Sequence, residues 1–384
     1  MSTITQHGYL VLADISGYTS YLAGVELDHA HEILTDLLEV IVGRFKSLLT
    51  IAKLEGDAVF AYVPESKVTR GETLLELAES TYAAFHDRIT SSRRHMTCQC
   101  RACQNMPGLD LKFFIHHGDY IVQDVMGIHE LVGSDVNLVH RLLKNHVTEY
   151  TGWKAYILLT ERALDHIGVR PVNLHEQIET YEHLGETKTF SYDLKQRYQE
   201  TVQSRQVIVA PKEALVTLVK DIPAPIPVVW EWLNDPRKRA QYTAQSGLEF
   251  RPVYSPNGRR GVGAQTHCMH GQNAAMKEVV LDWKPFDYFT VDQDGRPMFG
   301  DMIFTFRLEP VEDGKATRLT IYIKGAMLPG FLNKPLIKLA YGRMFMPMML
   351  SKLAARIAEQ QRAAPEMMPG EDSAQPLVSH SGGA

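Results

Sequence analysis

The sequence predicts an α+β chain of two domains, and three observations predict it. Over residues 1–195 apolar strands and amphipathic helices interleave, yet tight hairpins join several strands, so pairing is antiparallel rather than that of a doubly wound sheet. Residues 196–206, QRYQETVQSRQ, are polar and suit a linker. From 207 onward short strands alternate with Gly, Pro and Asp turns, and a long apolar and basic segment closes a second domain near 360. A length of 384 residues suits two such cores better than one.

The first strand is Gly8–Ile15, GYLVLADI, and Ser16 to Thr19 turn the chain after it. Between 28 and 49, Ile33, Leu34, Leu37, Leu38, Ile41, Phe45 and Leu48 form one stripe at helical spacing. Residues 50–54 and 57–62 flank Glu55-Gly56 and read as a hairpin. A helix at 71–90, a cysteine cluster, a hairpin at 111–125, a helix at 135–146 and short strands ending near Tyr192 complete this part. In the second part, 226–233 (IPVVWEWL) is a short apolar helix and strands run to about 324. Residues 333–356 read as a final helix with Lys334, Lys338, Arg343, Lys352 and Arg356 and no acid, kinked at Pro347. It suits either a core helix or a basic amphipathic surface for anionic membrane. The Pro-, Ser- and Gly-containing stretch 363–384 reads as a disordered tail.

A composition of 45% hydrophobic and 22% charged residues is that of a globular protein and excludes a fibrous or wholly disordered chain. A net charge of −5 argues against a general nucleic-acid binder. No run approaches the roughly 18 apolar residues of a membrane span. The N-terminus lacks the basic and apolar regions of a signal peptide, so the expected location is cytoplasmic.

Four cysteines make no disulfide scaffold, but three lie within six residues. His95, Cys98, Cys100 and Cys103 supply four donors within nine residues, a candidate Zn²⁺ set that could also be a surface loop with incidental thiols. Cys268 stands alone and is expected in a core.

Two acids mark strand ends: Asp14 at the end of the first strand and Asp57 after the hairpin glycine. Neighbouring carboxylates of this kind can share a hard cation, although Asp at a strand end also serves simple turn chemistry. The order of four segments goes further. LADISGYTSYL, KLEGDAVFAY, HHGDYIVQDVMG and ELVGSDVNLVHRL resemble, in order, the motifs of class III nucleotidyl cyclases, which have a ferredoxin-like fold. More narrowly, residues 1–195 resemble an uncharacterised Cys-rich, DUF2652-like subfamily that carries the phrase His140-Arg-Leu-Leu-Lys-Asn145.

The resemblance implies that Asp14 and Asp57 hold Mg²⁺ or Mn²⁺ and that Lys53 contacts an adenine. It implies that Asn137 orients the ribose and that Arg141 offsets charge at the α-phosphate. ATP is then favoured over GTP. Glu130 occupies the second purine-selecting position, usually Asp or Thr. Lys188 is the nearest match to a triphosphate lysine, and Gln123 stands where Gly is usual. One such domain per chain implies a homodimer with a composite site. The rival implication is a degenerate domain that binds nucleotide or dimerises without catalysis.

Residues 207–360 resemble START-like, polyketide-cyclase-like (SRPBCC) domains, a helix-grip fold of one antiparallel sheet around a C-terminal helix. The phrases THCMHG and DWKPFDY carry the likeness. It implies a cavity for an apolar small molecule or lipid, with His267 and His270 as candidate pocket residues or ordinary strand residues.

Overall fold

In a computed structural model the described residues are 5–363, apart from 69, 96–97, 99, 205–206, 244–247, 256–257, 271–272, 295–300 and 326–336. The expected tail, 364–384, lies outside them. The chain is α+β throughout, with one mixed and one antiparallel sheet.

The first domain runs β1 (Gln6–Ser16), α1 (Tyr18–Ala23), α2 (Leu27–Phe45), β2 (Thr50–Glu55), β3 (Ala58–Pro64), α3 (Glu72–His95) and α4 (Arg101–Asn105). It continues through β4 (Asp110–Val125), β5 (Ile128–Val132), α5 (Ser134–Leu142), α6 (Val147–Thr151), β6 (Tyr156–Thr160), α7 (Glu161–Ile167), β7 (His175–Tyr181), β8 (Gly185–Asp193) and α8 (Leu194–Ser204). The sheet order is β2-β3-β1-β4-β6-β8-β7, with β5 on β4, and β4–β6 is its parallel pair. Central β1 is buried on both faces, which is why its apolar run does not alternate. Tyr9, Val11 and Ala13 share a core with Ile33, Leu37 and Ile41 of α2. Leu10 and Leu12 share the other with Val136, Val139 and Leu142 of α5.

The expected hairpin at 111–125 is instead one 16-residue strand, β4. Its first half pairs with β1 and β6, and its outer end pairs with β5. The reversal comes later, at Met126 and Gly127, which both have positive φ. The expected linker is helical for most of its length, because α8 covers 194–204 and packs on α3.

The second domain runs β9 (Val216–Ile222), α9 (Ile226–Asn234), α10 (Pro236–Thr243), β10 (Leu248–Tyr254), β11 (Gln265–His270), β12 (Asn273–Lys284), β13 (Tyr288–Asp294), β14 (Asp301–Val311), β15 (Ala316–Gly325) and α11 (Met346–Ala363). Its seven-stranded antiparallel sheet has the order β10-β11-β12-β13-β14-β15-β9, and with α11 packed on α9, α10 and β9 this is a helix-grip arrangement. Met346, Leu350, Leu353 and Ile357 are the buried stripe of α11, so the core reading of this helix holds. Ahead of Pro347 the helix widens to π geometry over Ala340–Phe345. Proline lacks the N–H and crowds the preceding turn, which relaxes the ladder there. Among the described residues no helix is long and apolar enough to cross a membrane.

Helix α3 lies between the domains. Glu72, Glu76 and Glu79 recur at i, i+4 and i+7 and so share one face. Trp230 Nε1 donates to Glu76 at 2.9 Å, and the Arg259 guanidinium donates to Glu79 at 2.7 and 3.3 Å. The Arg260 N–H donates to Glu72 at 3.2 Å, Arg70 also pairs with Glu72, and Tyr192 donates to Glu79 at 3.0 Å. Burial, then the Glu72 charge, pushes Glu76 up to about 8 against the pull of Arg70 and Arg259.

The folded chain therefore keeps a proton at Glu76 that the unfolded chain releases above its ordinary value of 4.5. The stability this contributes is complete below that value and is lost as pH rises toward about 8. Glu76→Gln still accepts from Trp230, so its Tm advantage over wild type should grow from pH 5 to pH 8.5 in thermal melts. Parallel Tm–pH curves would show that Glu76 titrates as it does in water.

Candidate active site

Asp14 is the last β1 residue paired with β3, with Ala58 of β3 on one side and Lys112 of β4 on the other. Asp57 precedes β3 in a turn where Gly56 has φ +68°, a left-handed conformation that favours glycine. The Ile15 N–H donates to the Asp57 carbonyl at 3.2 Å and ties this turn to the end of β1. Two carboxylates thus stand together. Asp14 is pushed up to about 6, first by burial and then by Asp57, with Lys112 opposing. Burial raises Asp57 as well. A fold that gathers two repelling, half-buried acids offers the hard oxygen donors that Mg²⁺ or Mn²⁺ takes, so these residues fit such an ion.

Lys53 of β2 and Glu130 of β5 are brought together, with Nζ 3.7 Å from Oε1. Glu55 stands 3.6 Å from the same Nζ and pairs with His140 at 3.3 Å, while the His140 ring sits edge-on to Phe60 at 4.7 Å. Gln123, the departure from the usual glycine, faces Glu130 across the β4–β5 ladder. A donor and an acceptor held side by side can read the edge of a purine.

On α5 the core stripe is Val136, Val139 and Leu142, which turns Asn137 and Arg141 outward on the opposite face. Among the described residues neither side chain has a hydrogen-bond or ion-pair partner. The approach of this helix explains the glycine of the His116-His117-Gly118 motif. A Cβ at Gly118 would lie 2.3 Å from the Asp135 carboxylate, which accepts the Asp119 N–H at 2.7 Å.

Lys188 is placed differently. It lies on β8, held by Glu176 at 2.8 Å and Glu161 at 3.6 Å, so two carboxylates already occupy its charge. His267 is half-buried on β11 between the buried Thr266 and Cys268, with Arg251 and Lys277 as its strand neighbours. The side chains of His270 and His95 lie outside the described residues. Cys98, Cys100 and Cys103 converge, with His29 of α2 as the nitrogen donor beside them.

Sequence reasoning misses Lys112, Glu55, His140 and His29. Lys112 has a signal in hindsight, being the one polar residue in LKFFI. The others depend on strand and helix contacts that no local pattern records.

The family described as "Protein of unknown function (DUF2652)" matches residues 34–151. The family described as "Polyketide cyclase / dehydrase and lipid transport" matches residues 213–358. The uncharacterised protein Rv2561/Rv2562 of Mycobacterium tuberculosis is 30% identical over 162 residues, covering 42% of this chain and 73% of that protein. The chain belongs to the family of this mycobacterial protein. It joins a DUF2652 region to a polyketide cyclase / dehydrase and lipid transport domain. Among solved structures, a bacterial light-regulated adenylyl cyclase aligns at 13% identity and TM-score 0.38, over 52% of this chain and 58% of that one. The guanylyl cyclase Cya2 aligns at 15% identity and TM-score 0.38, over 50% of this chain and 93% of that one. Adenylyl cyclase CyaB from P. aeruginosa aligns at 17% identity and TM-score 0.34, over 50% and 97% of the two chains.

Proposed function

We propose that the first domain is a divalent-cation-dependent nucleotidyl cyclase that converts ATP to cyclic AMP and pyrophosphate. The observation that carries this reading is the Asp14–Asp57 pair, tied together by the Ile15–Asp57 hydrogen bond at 3.2 Å. Asp14 and Asp57 would hold Mg²⁺ or Mn²⁺, which when bound supplies Lewis acidity at the triphosphate and the ribose 3′-hydroxyl. Lys53 would donate to adenine N1 and Glu130 would accept from the 6-amino group. Guanine reverses both groups and would leave them mismatched. Asn137 would orient the ribose, and Arg141 would face the α-phosphate as negative charge builds there. The 3′-oxygen bonds to the α-phosphorus, the bond to the leaving pyrophosphate breaks, and the hydroxyl proton passes to solvent.

In the resembling enzymes the acids come from one chain and the purine and Asn–Arg groups from another, so the working unit is a head-to-tail homodimer. The outward-facing, unpartnered Asn137 and Arg141 suit such a shared site. The second domain would bind an apolar small molecule or lipid and bias the dimer geometry.

Lys188 favours a second reading, because its ion pairs with Glu176 and Glu161 leave the triphosphate without that cation. In this reading the domain binds nucleotide without turning it over. Incubating the full chain with ATP or GTP and Mn²⁺, and separating the products chromatographically, decides between them. Cyclic AMP with pyrophosphate, formed about tenfold or more faster than the guanine product, is expected. Mn²⁺-dependent nucleotide retention without product supports the second reading, and neither product nor retention removes both.

A further inference from the structure

Among the described residues, two groups of metal-ligating side chains lie outside the candidate active site. In the first, Glu65, His117 and His166 come together, but the two imidazoles stack at 3.7 Å and 13°. Nearly parallel rings point their lone pairs side by side, so they cannot both aim at one ion.

The second group is differently built. The Cys100 N–H donates to Cys98 Sγ at 3.4 Å, and the Cys103 N–H donates to Cys100 Sγ at 3.4 Å. Backbone N–H groups aimed at sulfur favour the thiolate form that metals bind. All three cysteines are free thiols. Across from them, on α2, His29 Nδ1 stands 3.1 Å from Cys100 Sγ and 3.5 Å from Cys98 Sγ. The four donor atoms lie within 4.8 Å of one another. A tetrahedral zinc ion with bonds of about 2.3 Å to sulfur and about 2.0 Å to nitrogen needs donor separations of about 3.5–3.8 Å. Small side-chain rotations meet that requirement. Three sulfurs and one imidazole nitrogen, with no carboxylate in the set, are a closed structural zinc set rather than a catalytic one.

We infer that His29, Cys98, Cys100 and Cys103 bind one zinc ion, which clips the segment after α3 onto α2. The nitrogen comes from α2, not from His95 at the end of α3. Binding displaces the three thiol protons, leaves His29 neutral and gives the centre a net charge of −1. Two contacts already tie α4 to the residue capping α2, Glu26, and to Tyr21 of α1. The Ala102 N–H donates to Glu26 at 3.2 Å, and the Tyr21 hydroxyl donates to the Ala102 carbonyl at 3.1 Å. His29 and Cys100 are 71 residues apart in sequence, so the ion adds a long-range cross-link to the packing of α2 on α3 and α4. None of the four ligands is a candidate active-site residue, and the metal content is read without reference to the proposed cyclase activity.

The test uses the full chain, purified without chelator, as wild type, His29→Gln, His95→Gln and Cys100→Ser. Elemental analysis is expected to find about one zinc per chain in wild type and His95→Gln, and most of it lost from the other two. Loading wild type and His95→Gln with Co²⁺ alone should give the intense visible bands and sulfur charge-transfer absorption of a tetrahedral thiolate site. Those bands should weaken and shift in His29→Gln. The cobalt spectrum of wild type decides the matter even if Cys100→Ser fails to fold. Wild type without zinc and without the cobalt bands overturns the site. Loss of zinc from His95→Gln with retention in His29→Gln overturns the ligand assignment. A disulfide among the three cysteines in reducing-agent-free protein overturns both.

Discussion

Asp57→Ala is expected to lower Mn²⁺-dependent nucleotide turnover by about 10³-fold, since a metal clamp supplies several kcal/mol and each 1.36 kcal/mol is tenfold. The melting temperature should stay level or rise. The reason lies in what the side chain does in the folded chain. The turn is made by Gly56 at φ +68° and by the Asp57 carbonyl, which accepts the Ile15 N–H at 3.2 Å, and alanine keeps both. The carboxylate is raised by burial, so folding without a cation has to desolvate a charge that alanine lacks. Loss of activity with unchanged stability would mark Asp57 as functional. A large fall in Tm would return it to turn chemistry, and unchanged turnover would remove it from the site. Asp57→Asn, similar in shape but without the charge, should match the alanine variant in turnover.

The difference between what this sequence states and what it conceals follows distance along the chain. GYLVLADI is legible as a strand because its composition alone suits burial on both faces, and α2 is legible because its stripe repeats over about four turns. Asp14 and Asp57 are legible as a pair through the motif order, each standing at the boundary of an apolar strand although two helices separate them in the chain. The Lys53–Glu130 ion pair at 3.7 Å was available only through the motif order, since β2 and β5 are edge elements 77 positions apart. His29 escapes notice for the same reason: nothing near it in sequence suggests sulfur chemistry. Helix α3 is the largest omission. Glu72, Glu76 and Glu79 have the spacing of a solvated helix face, and that reading fails because Trp230, Arg259 and Arg260, 150 or more residues away, cover it. The polar stretch at 196–206 misleads likewise, since a polar helix packed on one side has a linker's composition.

Arg259 carries the other large expected effect. Its guanidinium is 5% exposed, lies across α3, and reaches Glu79 at 2.7 Å and Glu72 at 3.6 Å. Arg259→Met should cost about 3 kcal/mol, the lower end of the range for removing one partner of a buried pair. The lower end applies because Glu79 keeps Arg197 at 3.5 Å and the Tyr192 hydroxyl at 3.0 Å. The loss falls on the contact between the two domains, so limited proteolysis between α8 and β9 should quicken along with the drop in Tm. Most of the penalty is the carboxylate left buried with too little positive charge. Adding Glu79→Gln to Arg259→Met should therefore recover part of the stability, because the amide removes the uncompensated charge while still accepting from Tyr192. Denaturant melts of the two single variants and the double variant give the coupling. A double variant as unstable as the sum of the singles, or a single variant within about 0.5 kcal/mol of wild type, would mean that the pair does not hold the domains together.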